Sequence, residues 1–243
     1  MSTPGTAAGR DNTLDFGRAL QFVPEDPDWV RKILFGGLFS LLGIVIVGWF
    51  FVGGYFLALL RRAARGEPRP LPEWDDLGAL FVDGLRAAGL YFAHLFGLLA
   101  IPLGLSCMIG LFAGGLGSLA GSHRGSDELA GVLGMGLGLL YMVIALAALV
   151  LFLYIPAAVT RFALLGTFAA GFDFRENVAF IQRNLLNYVL ALVIYLVGSF
   201  VAQFAVLLCC IGFFPASFWA ICIFGWALGE TARRDPVLGG GRI

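Results

Sequence analysis

Four carboxylates, those of Glu73, Asp75, Asp76 and Asp83, are the first candidates for metal-binding or acid–base chemistry in this sequence. Calcium sites are built from six to eight oxygen ligands in a looped geometry. Three of the four acids are nearly consecutive, and a helix that starts at this point turns their side chains in different directions. The sequence therefore predicts no metal site here, and we expect no cofactor.

The sequence also lacks the usual residue pattern for nucleophilic catalysis. A serine nucleophile needs a base beside it. Four serines of the apolar runs have no histidine or acid close in sequence: they are Ser40, Ser106, Ser199 and Ser217. His94 and His123 fall at different predicted depths of a membrane. We therefore predict that the protein is not an enzyme.

The composition indicates a membrane protein. Of the 243 residues, 59% are hydrophobic and 13% are charged, whereas a soluble domain carries about 25% charged residues. So few charges cannot cover a water-facing surface. The formal net charge is zero, which excludes the basic footprint of a nucleic-acid-binding protein.

Four apolar blocks organise the chain. They comprise residues 33–60, 87–121, 129–171 and 187–229. A membrane-spanning helix needs about 20 apolar residues. The second and third blocks can each cross once, and the fourth can cross twice with a turn near Gly212 and Pro215. The first block either crosses once or enters and returns as a hairpin.

These blocks predict an all-α fold, an integral membrane helical bundle. It has four spans plus the first block, which is a fifth span or a returning hairpin. We expect residues 1–32 to form a polar arm, residues 33–229 a single transmembrane domain, and residues 230–243 a polar tail.

The charges between the blocks predict the orientation. Residues 61–86 carry five arginines, whereas the "GSHRGSDE" loop carries one and the "CCIGFFP" turn carries none. Loops on the cytoplasmic side carry the excess of Lys and Arg. We therefore expect residues 61–86, residues 161–183 and the C-terminus to face the cytoplasm.

Three short stretches share a pattern, in which an Asp precedes an apolar residue and further apolar residues follow three or four apart. The stretches are "LDFGRALQFV" (14–23), "WDDLGALFVDGL" (74–85) and "FDFRENVAFIQRNL" (172–185). This spacing is helical. Each stretch is expected to be an amphipathic helix in the headgroup layer, followed by a span. Pro72 fits the first turn of the second of these helices.

The stretch "RRAARGEPRPLPEWDD" (61–76) supplies most of the candidate headgroup contacts. We expect its arginines to bind anionic headgroups and its tryptophan to lie at the interface; pairing between its arginines and acids is the alternative. Arg161 is expected to reach the headgroups, with Asp173 or Glu176 as alternative partners. The candidate residues are Arg61, Arg62, Arg65, Trp74, Asp75, Asp76, Arg161 and Asp173.

Three longer strings resemble a known family. They are "DPDWVRKILFGGLFSLL" (26–42), "GGYFLALLRRAARGEPRPLPEWDDLGALFVDGL" (53–85) and "YIPAAVTRFAL", which begins at Tyr154. They are similar to domain of unknown function 4013, a family of bacterial and archaeal multi-pass membrane proteins. The resemblance implies a prokaryotic cytoplasmic membrane and supplies no catalytic residue. Family members often have a proline in the first apolar block, where this sequence has Gly43.

Glycines spaced four residues apart point to close helix packing. The pairs are Gly110 and Gly114, Gly117 and Gly121, and Gly134 and Gly138. Small residues let membrane helices approach each other, within one subunit or between molecules. The pairs are therefore candidates for self-association or for contact with other membrane proteins.

We expect the lipid bilayer to be the first partner of the protein. The features above predict a non-enzymatic membrane component that associates with other membrane proteins or organises lipid. The alternative is a permease or export component for a hydrophobic or neutral solute. No carboxylate lies inside an apolar block, which argues against a proton-driven pump. A lipid-headgroup enzyme would need Asp76, Arg161 and Asp173 to converge.

Overall fold

The computed structural model describes residues 13–120, 126–207 and 211–239, and within them it contains helices and no strand. The all-α prediction is confirmed. The helices are α1 (Phe16–Gln21), α2 (Trp29–Leu42), α3 (Val47–Ala64), α4 (Leu77–Ala120), α5 (Ser126–Leu165), α6 (Phe168–Phe172), α7 (Phe174–Arg183), α8 (Leu185–Phe204) and α9 (Phe213–Arg234).

Four of the described helices are long and apolar enough to cross a membrane. The segments are Leu77–Ala100, Gly134–Leu165, Leu185–Leu207 and Phe213–Arg234. They fall where the second, third and fourth apolar blocks predict them. In the fourth block α8 and α9 pack against each other, which agrees with the turn expected near Gly212.

The chain divides into two compact units. The larger unit comprises residues 1–87 and 158–243, and the smaller comprises residues 88–157 of α4 and α5. Inside the smaller unit, the ring of His94 lies 5.5 Å from that of Tyr154. The Nδ1 atom of His94 is 2.8 Å from the carbonyl oxygen of Leu90, within its own helix.

The first apolar block is a returning hairpin. Helix α2 ends at Leu42, a 3₁₀ turn follows, and Ile46 adopts a positive φ of 70° before α3 begins. The rings of Phe39 and Phe51 stack 4.6 Å apart between the two helices. A Cβ atom on Gly48 would lie 1.9 Å from the carbonyl oxygen of Phe39, so only glycine permits this approach. The two ends of the block are therefore on the same side.

Helix α9 is the centre of the larger unit, where it packs against α2, α3 and α8. Glycines on the surrounding helices make room for it. A Cβ on Gly36 would overlap the ring of Phe218, and a Cβ on Gly229 would lie 2.5 Å from the carbonyl oxygen of Leu60. Close packing of this kind replaces the hydrophobic effect as the force that joins helices in a bilayer.

The start of α4 differs from the prediction. The helix begins at Leu77 rather than at Pro72, because residues 71–74 are not helical and are held by the core. The hydroxyl of Tyr55 donates a hydrogen bond of 3.0 Å to the carbonyl of Pro72. From Leu77 the helix continues without a break through the second apolar block. The expected surface helix followed by a separate span is therefore one helix, since no residue between them interrupts it.

The shared Asp of the three stretches has one structural role. Asp15, Asp76 and Asp173 each accept a hydrogen bond from a backbone N–H three residues later, at 3.2, 2.9 and 3.1 Å respectively. A carboxylate in this position is an N-cap and satisfies an otherwise unpaired donor. The pattern thus marks the starts of α1, α4 and α7.

Candidate functional site

Nearly all charged side chains of the larger unit that the structure describes lie at one end of it, which we call the charged end. It contains the start of α2, the end of α3, the start of α4, the end of α5, α7 and the end of α9. Hydrogen bonds join these elements across long sequence separations, for example from Arg61 to Ala163 and from Arg183 to Asp235. The segments assigned to one membrane face by their charge are therefore together in space.

Lys32 is the most deeply enclosed cation of the charged end. Its side chain is 4% exposed, and its Nζ lies 2.8 Å from Oδ2 of Asp26 and 2.6 Å from Oε1 of Glu73. It also donates a 3.3 Å hydrogen bond to the carbonyl of Leu71. A buried charge is stable only when it is paired and hydrogen-bonded. Lys32 therefore ties residues 71–73 to α2.

Trp74 completes the attachment of this segment. Its indole Nε1 donates a hydrogen bond of 3.0 Å to the carbonyl of Lys32. Its ring stacks against Phe39 and Tyr55, with centroids 4.8 and 4.5 Å away. Trp74 thus packs between α2 and α3, a role that its place in a charged stretch did not indicate.

The arginines at the end of α3 pair with groups of the chain itself. Arg61 donates to the carbonyl of Ala163 at 2.8 Å and forms an ion pair with Asp83. Arg62 donates to the carbonyl of Leu71 at 2.9 Å, and Arg65 lies 2.9 Å from Glu67. These arginines therefore pair within the chain, which the sequence analysis gave as the alternative to headgroup binding. The headgroup role of these arginines stays a prediction.

The two acids before α4 act locally. A carboxylate oxygen of Asp75 accepts a 3.1 Å hydrogen bond from the N–H of Asp76, which in turn caps α4. Both residues are exposed. Neither has a recorded ion pair among the described residues, so both keep the charge that a headgroup role would use.

Arg161 connects the end of α5 to α7. It is 8% exposed, donates to Oδ1 of Asn177 at 3.3 Å and lies 4.0 Å from Asp173. Asn177 donates in turn to the carbonyl of Gly171 at 2.9 Å. Arg161 is therefore enclosed rather than extended towards headgroups, and the alternative partner Asp173 is the one found.

Asp235 is a buried acceptor that the sequence analysis missed. It accepts hydrogen bonds from the backbone N–H groups of Val237 and Leu238, both at 2.8 Å, and from the side chains of Asn184 and Arg183. Burial by itself would raise the pKa of Asp235, but these four donors hold it below its ordinary value. Its side-chain partners Arg183 and Asn184, at the end of α7 and just after it, are more than fifty residues away, so sequence spacing gave no signal.

An open cavity of about 730 Å³ lies at the charged end. Charged residues from α1, the loop after α3 and the end of α9 line it: Asp15, Arg18, Glu67, Glu230, Arg233 and Arg234. Three acids face three arginines, and Arg233 and Arg234 both bind Glu230. The lining therefore has no excess charge to attract an anion or a cation.

The three groups of a lipid-headgroup enzyme do not meet. Arg161 is 4.0 Å from Asp173, but in the described chain the carboxylate of Asp76 has its recorded hydrogen bond with the N–H of Ala79. Among the described residues no group of three His, Cys, Asp or Glu could hold a metal ion.

The glycine pairs divide into two groups. A Cβ on Gly134 or Gly138 would meet no described atom within 4 Å, so this face of α5 is open with respect to the side chains that the structure describes. Gly110, Gly114, Gly117 and Gly121 lie outside the residues whose surroundings the structure describes.

Comparison with known proteins gave one match. The model of a family described as a protein of unknown function (DUF4013) matches residues 37–211. The search of curated proteins and the search of solved structures returned no match.

We predict that Lys32→Met lowers the free energy of unfolding by about 3–5 kcal/mol, because it leaves the buried Asp26 without its partner. Arg31→Met is the matched control, since Arg31 also contacts Glu73 but its side chain is 61% exposed. Arg31→Met should lower the free energy of unfolding by less than about 1 kcal/mol. Denaturant unfolding of the detergent-solubilised protein measures both, and equal losses would contradict the role assigned to Lys32.

Asp235→Asn should weaken the protein in a pH-dependent manner. Because the folded pKa of Asp235 is lowered, its contribution is fully present above the unfolded value of about 3.9 and is lost as pH falls through the folded value. Thermal midpoints measured between pH 3 and 7 should therefore converge for parent and variant at the acid end. Asp75→Asn, at an exposed position, should leave the dependence of the thermal midpoint on pH unchanged. If the curves of the parent and Asp235→Asn stay parallel over this range, the pH dependence assigned to Asp235 is contradicted.

Proposed function

Because the chain belongs to the DUF4013 family, whose function is unknown, we propose its function from the geometry of its own residues. The protein is a non-enzymatic multi-pass membrane component that associates with other membrane proteins or organises lipid around itself. The observation that carries this proposal is the internal pairing of the charged end. Each of the buried charged side chains that the structure describes has a partner of opposite charge within the chain: Asp26, Lys32, Arg161, Glu230 and Asp235.

Such pairing supports a structural role for the charges. A general acid, base or nucleophile must be free to exchange its proton or attack a substrate. Lys32, Arg161 and Asp235 instead each join two or more segments of the chain. The outward surface of the helices is apolar, with Phe96, Tyr141 and Leu207 more than three-quarters exposed. Such a surface suits contact with lipid chains or with another membrane helix.

A filled core supports this proposal over the permease alternative. A solute path would need a continuous cavity through the bundle. In the described part of the larger unit, the cavity at the charged end shares no lining residue with the cleft at the opposite end. Between them lie side chains with 0% exposure, among them Tyr55, Phe218 and Leu228.

The open face of α5 is the surface that we assign to a partner helix. Gly134 and Gly138 lie one turn apart, and a Cβ on either would meet nothing within 4 Å. Met135 and Tyr141, which flank this face, are 73% and 76% exposed. A partner helix seated here would bring its backbone close and cover both side chains.

The charged end is on the cytoplasmic side in our proposal, in a prokaryotic cytoplasmic membrane. The reason is the excess of arginine there, which the inner face of such a membrane favours. The turn between α8 and α9, without Lys or Arg, then lies on the outer side.

Cysteine labelling in intact cells tests this orientation. In a background whose four native cysteines are replaced by alanine, Arg69→Cys should react with a membrane-impermeant maleimide only after the membrane is opened. Ile211→Cys, at a position that is 72% exposed on the opposite turn, should react in intact cells. The reverse pattern would invert the proposed orientation.

Copurification tests the function. The protein is extracted in a mild detergent, and bound proteins and lipids are identified by mass spectrometry. We expect Gly134→Leu/Gly138→Leu to remove at least one copurifying protein, because the leucines prevent the close approach of a partner helix. Gly97→Leu is the control, since Gly97 also has open space around its Cβ position.

Recovery of neither protein nor lipid with the parent would remove the basis of the proposal. Loss of the same partner from Gly97→Leu would show that the effect is not specific to the face at Gly134 and Gly138.

A further inference from the structure

A cleft of about 280 Å³ lies at the end of the larger unit opposite the charged end. It is formed by the last turns of α2 and α8 and the first turns of α3 and α9. We call it the hydroxyl cleft, after the side chains that line it: Ser40, Ser199, Gln203, Ser217, Tyr195 and Trp49. Three of the four serines that the sequence leaves scattered meet here, together with the only amide deep in the fourth apolar block.

Three of these polar side chains have no recorded hydrogen-bond partner within the part of the chain that the structure describes. Ser40 donates a 2.8 Å hydrogen bond to the carbonyl of Gly36, within its own helix. For Ser199, Gln203 and Ser217 the structure records no side-chain hydrogen bond among the described residues. All three lie in segments apolar enough to cross a membrane. Gln203 is exposed and the two serines are half-buried, so a molecule in the cleft can reach all three and supply hydrogen bonds that lipid chains cannot.

The rest of the lining selects for an uncharged ligand. No Asp, Glu, Lys, Arg or His lines the hydroxyl cleft, so a charged group would be bound there without compensation. The rings of Trp49 and Tyr195 supply apolar walls. Trp49 is 56% exposed, so the cleft opens outward from the bundle.

The position and size of the cleft further restrict the class of ligand that it can bind. It lies beside the two turns of the larger unit, near the level at which tryptophan and tyrosine rings meet the polar part of a bilayer. Its volume is too small for an entire two-chain lipid and fits the glycerol and ester portion. The exposed rings of Phe200 and Phe204, which pack edge to face 5.1 Å apart on α8, offer an apolar surface for acyl chains.

We propose that the hydroxyl cleft binds the glycerol and ester portion of a neutral diacylglycerol. The free hydroxyl and the two ester carbonyls of this lipid are three hydrogen-bonding groups, which match the three unpartnered side chains. A quinone head offers two carbonyls and would leave one side chain unmatched. This inference deepens the proposed lipid-organising function, on which it rests, by naming a lipid class and its site.

Photocrosslinking in reconstituted vesicles tests the site. A photoreactive diacylglycerol is added to phosphatidylcholine vesicles that contain the full chain, and the labelled peptides are mapped by mass spectrometry. Labels should fall near Trp49, Ser199 and Ser217. Ser199→Ala/Ser217→Ala should reduce labelling about tenfold, because two hydrogen bonds of modest strength are lost in an apolar medium. Ser199→Thr/Ser217→Thr keeps both hydroxyls and should retain most of the labelling.

Two further comparisons test whether the labelling depends on the cleft and on the charge of the lipid. Gln203→Leu should reduce labelling, whereas Gln182→Leu, the same change at an exposed position of α7, should not. A photoreactive phosphatidylglycerol should label the cleft weakly, because no cation there compensates its charge.

Unchanged labelling of the Ser199→Ala/Ser217→Ala variant, with an unchanged thermal midpoint, would overturn the proposal. So would equal labelling by phosphatidylglycerol, or competition by a quinone but not by unlabelled diacylglycerol. The proposed function is tested separately, since other lipids or proteins could still copurify if the cleft variants had no effect.

Discussion

The pairing of Lys32 is the interaction on which the rest of the larger unit depends. An ammonium group that is 4% exposed cannot remain charged without partners, and its partners Asp26 and Glu73 come from opposite ends of the first hairpin. Their attraction brings the loop after α3 back to the start of α2 and places Trp74 against Phe39 and Tyr55. The hairpin therefore closes at the charged end, and its turn is directed to the opposite end of the bundle.

The two ends of the larger unit consequently differ in chemistry. At the charged end, Lys32 pairs with Asp26 and Asp235 pairs with Arg183, and the cavity there is lined by balanced charges. At the opposite end, Ser199, Gln203 and Ser217 face a small cleft without recorded partners among the described residues. The first arrangement fixes the fold, whereas the second leaves hydrogen bonds for a ligand. The proposed lipid site therefore lies at the end opposite the charged end, whereas the surface proposed for a partner helix belongs to α5 in the smaller unit.

Several local features could be predicted from the sequence because their causes are local. Apolar runs of sufficient length predicted the four candidate spans, and the Asp at the start of each related stretch marks a helix that it caps. The prediction for Pro72 was wrong because its segment is held by Tyr55 and Lys32, which attach it to the core in a non-helical form. Arg161 was expected at headgroups, but Asp173 and Asn177 enclose it. In both cases a distant contact outweighed a local preference.

The sequence by itself indicated that the helices suit a lipid bilayer, and it determined the helical class and the family of the protein. These properties depend on composition, on the length of apolar runs and on contiguous motifs. Only the tertiary structure decided that the first block returns, which acid neutralises which cation, and that Ser199 and Ser217 share a cleft with Gln203. The reason is distance along the chain. Arg61 and Ala163 are 102 residues apart, and Leu14 and Asn187 are 173 apart. Pairings of this kind follow from how helices pack, which no local pattern encodes.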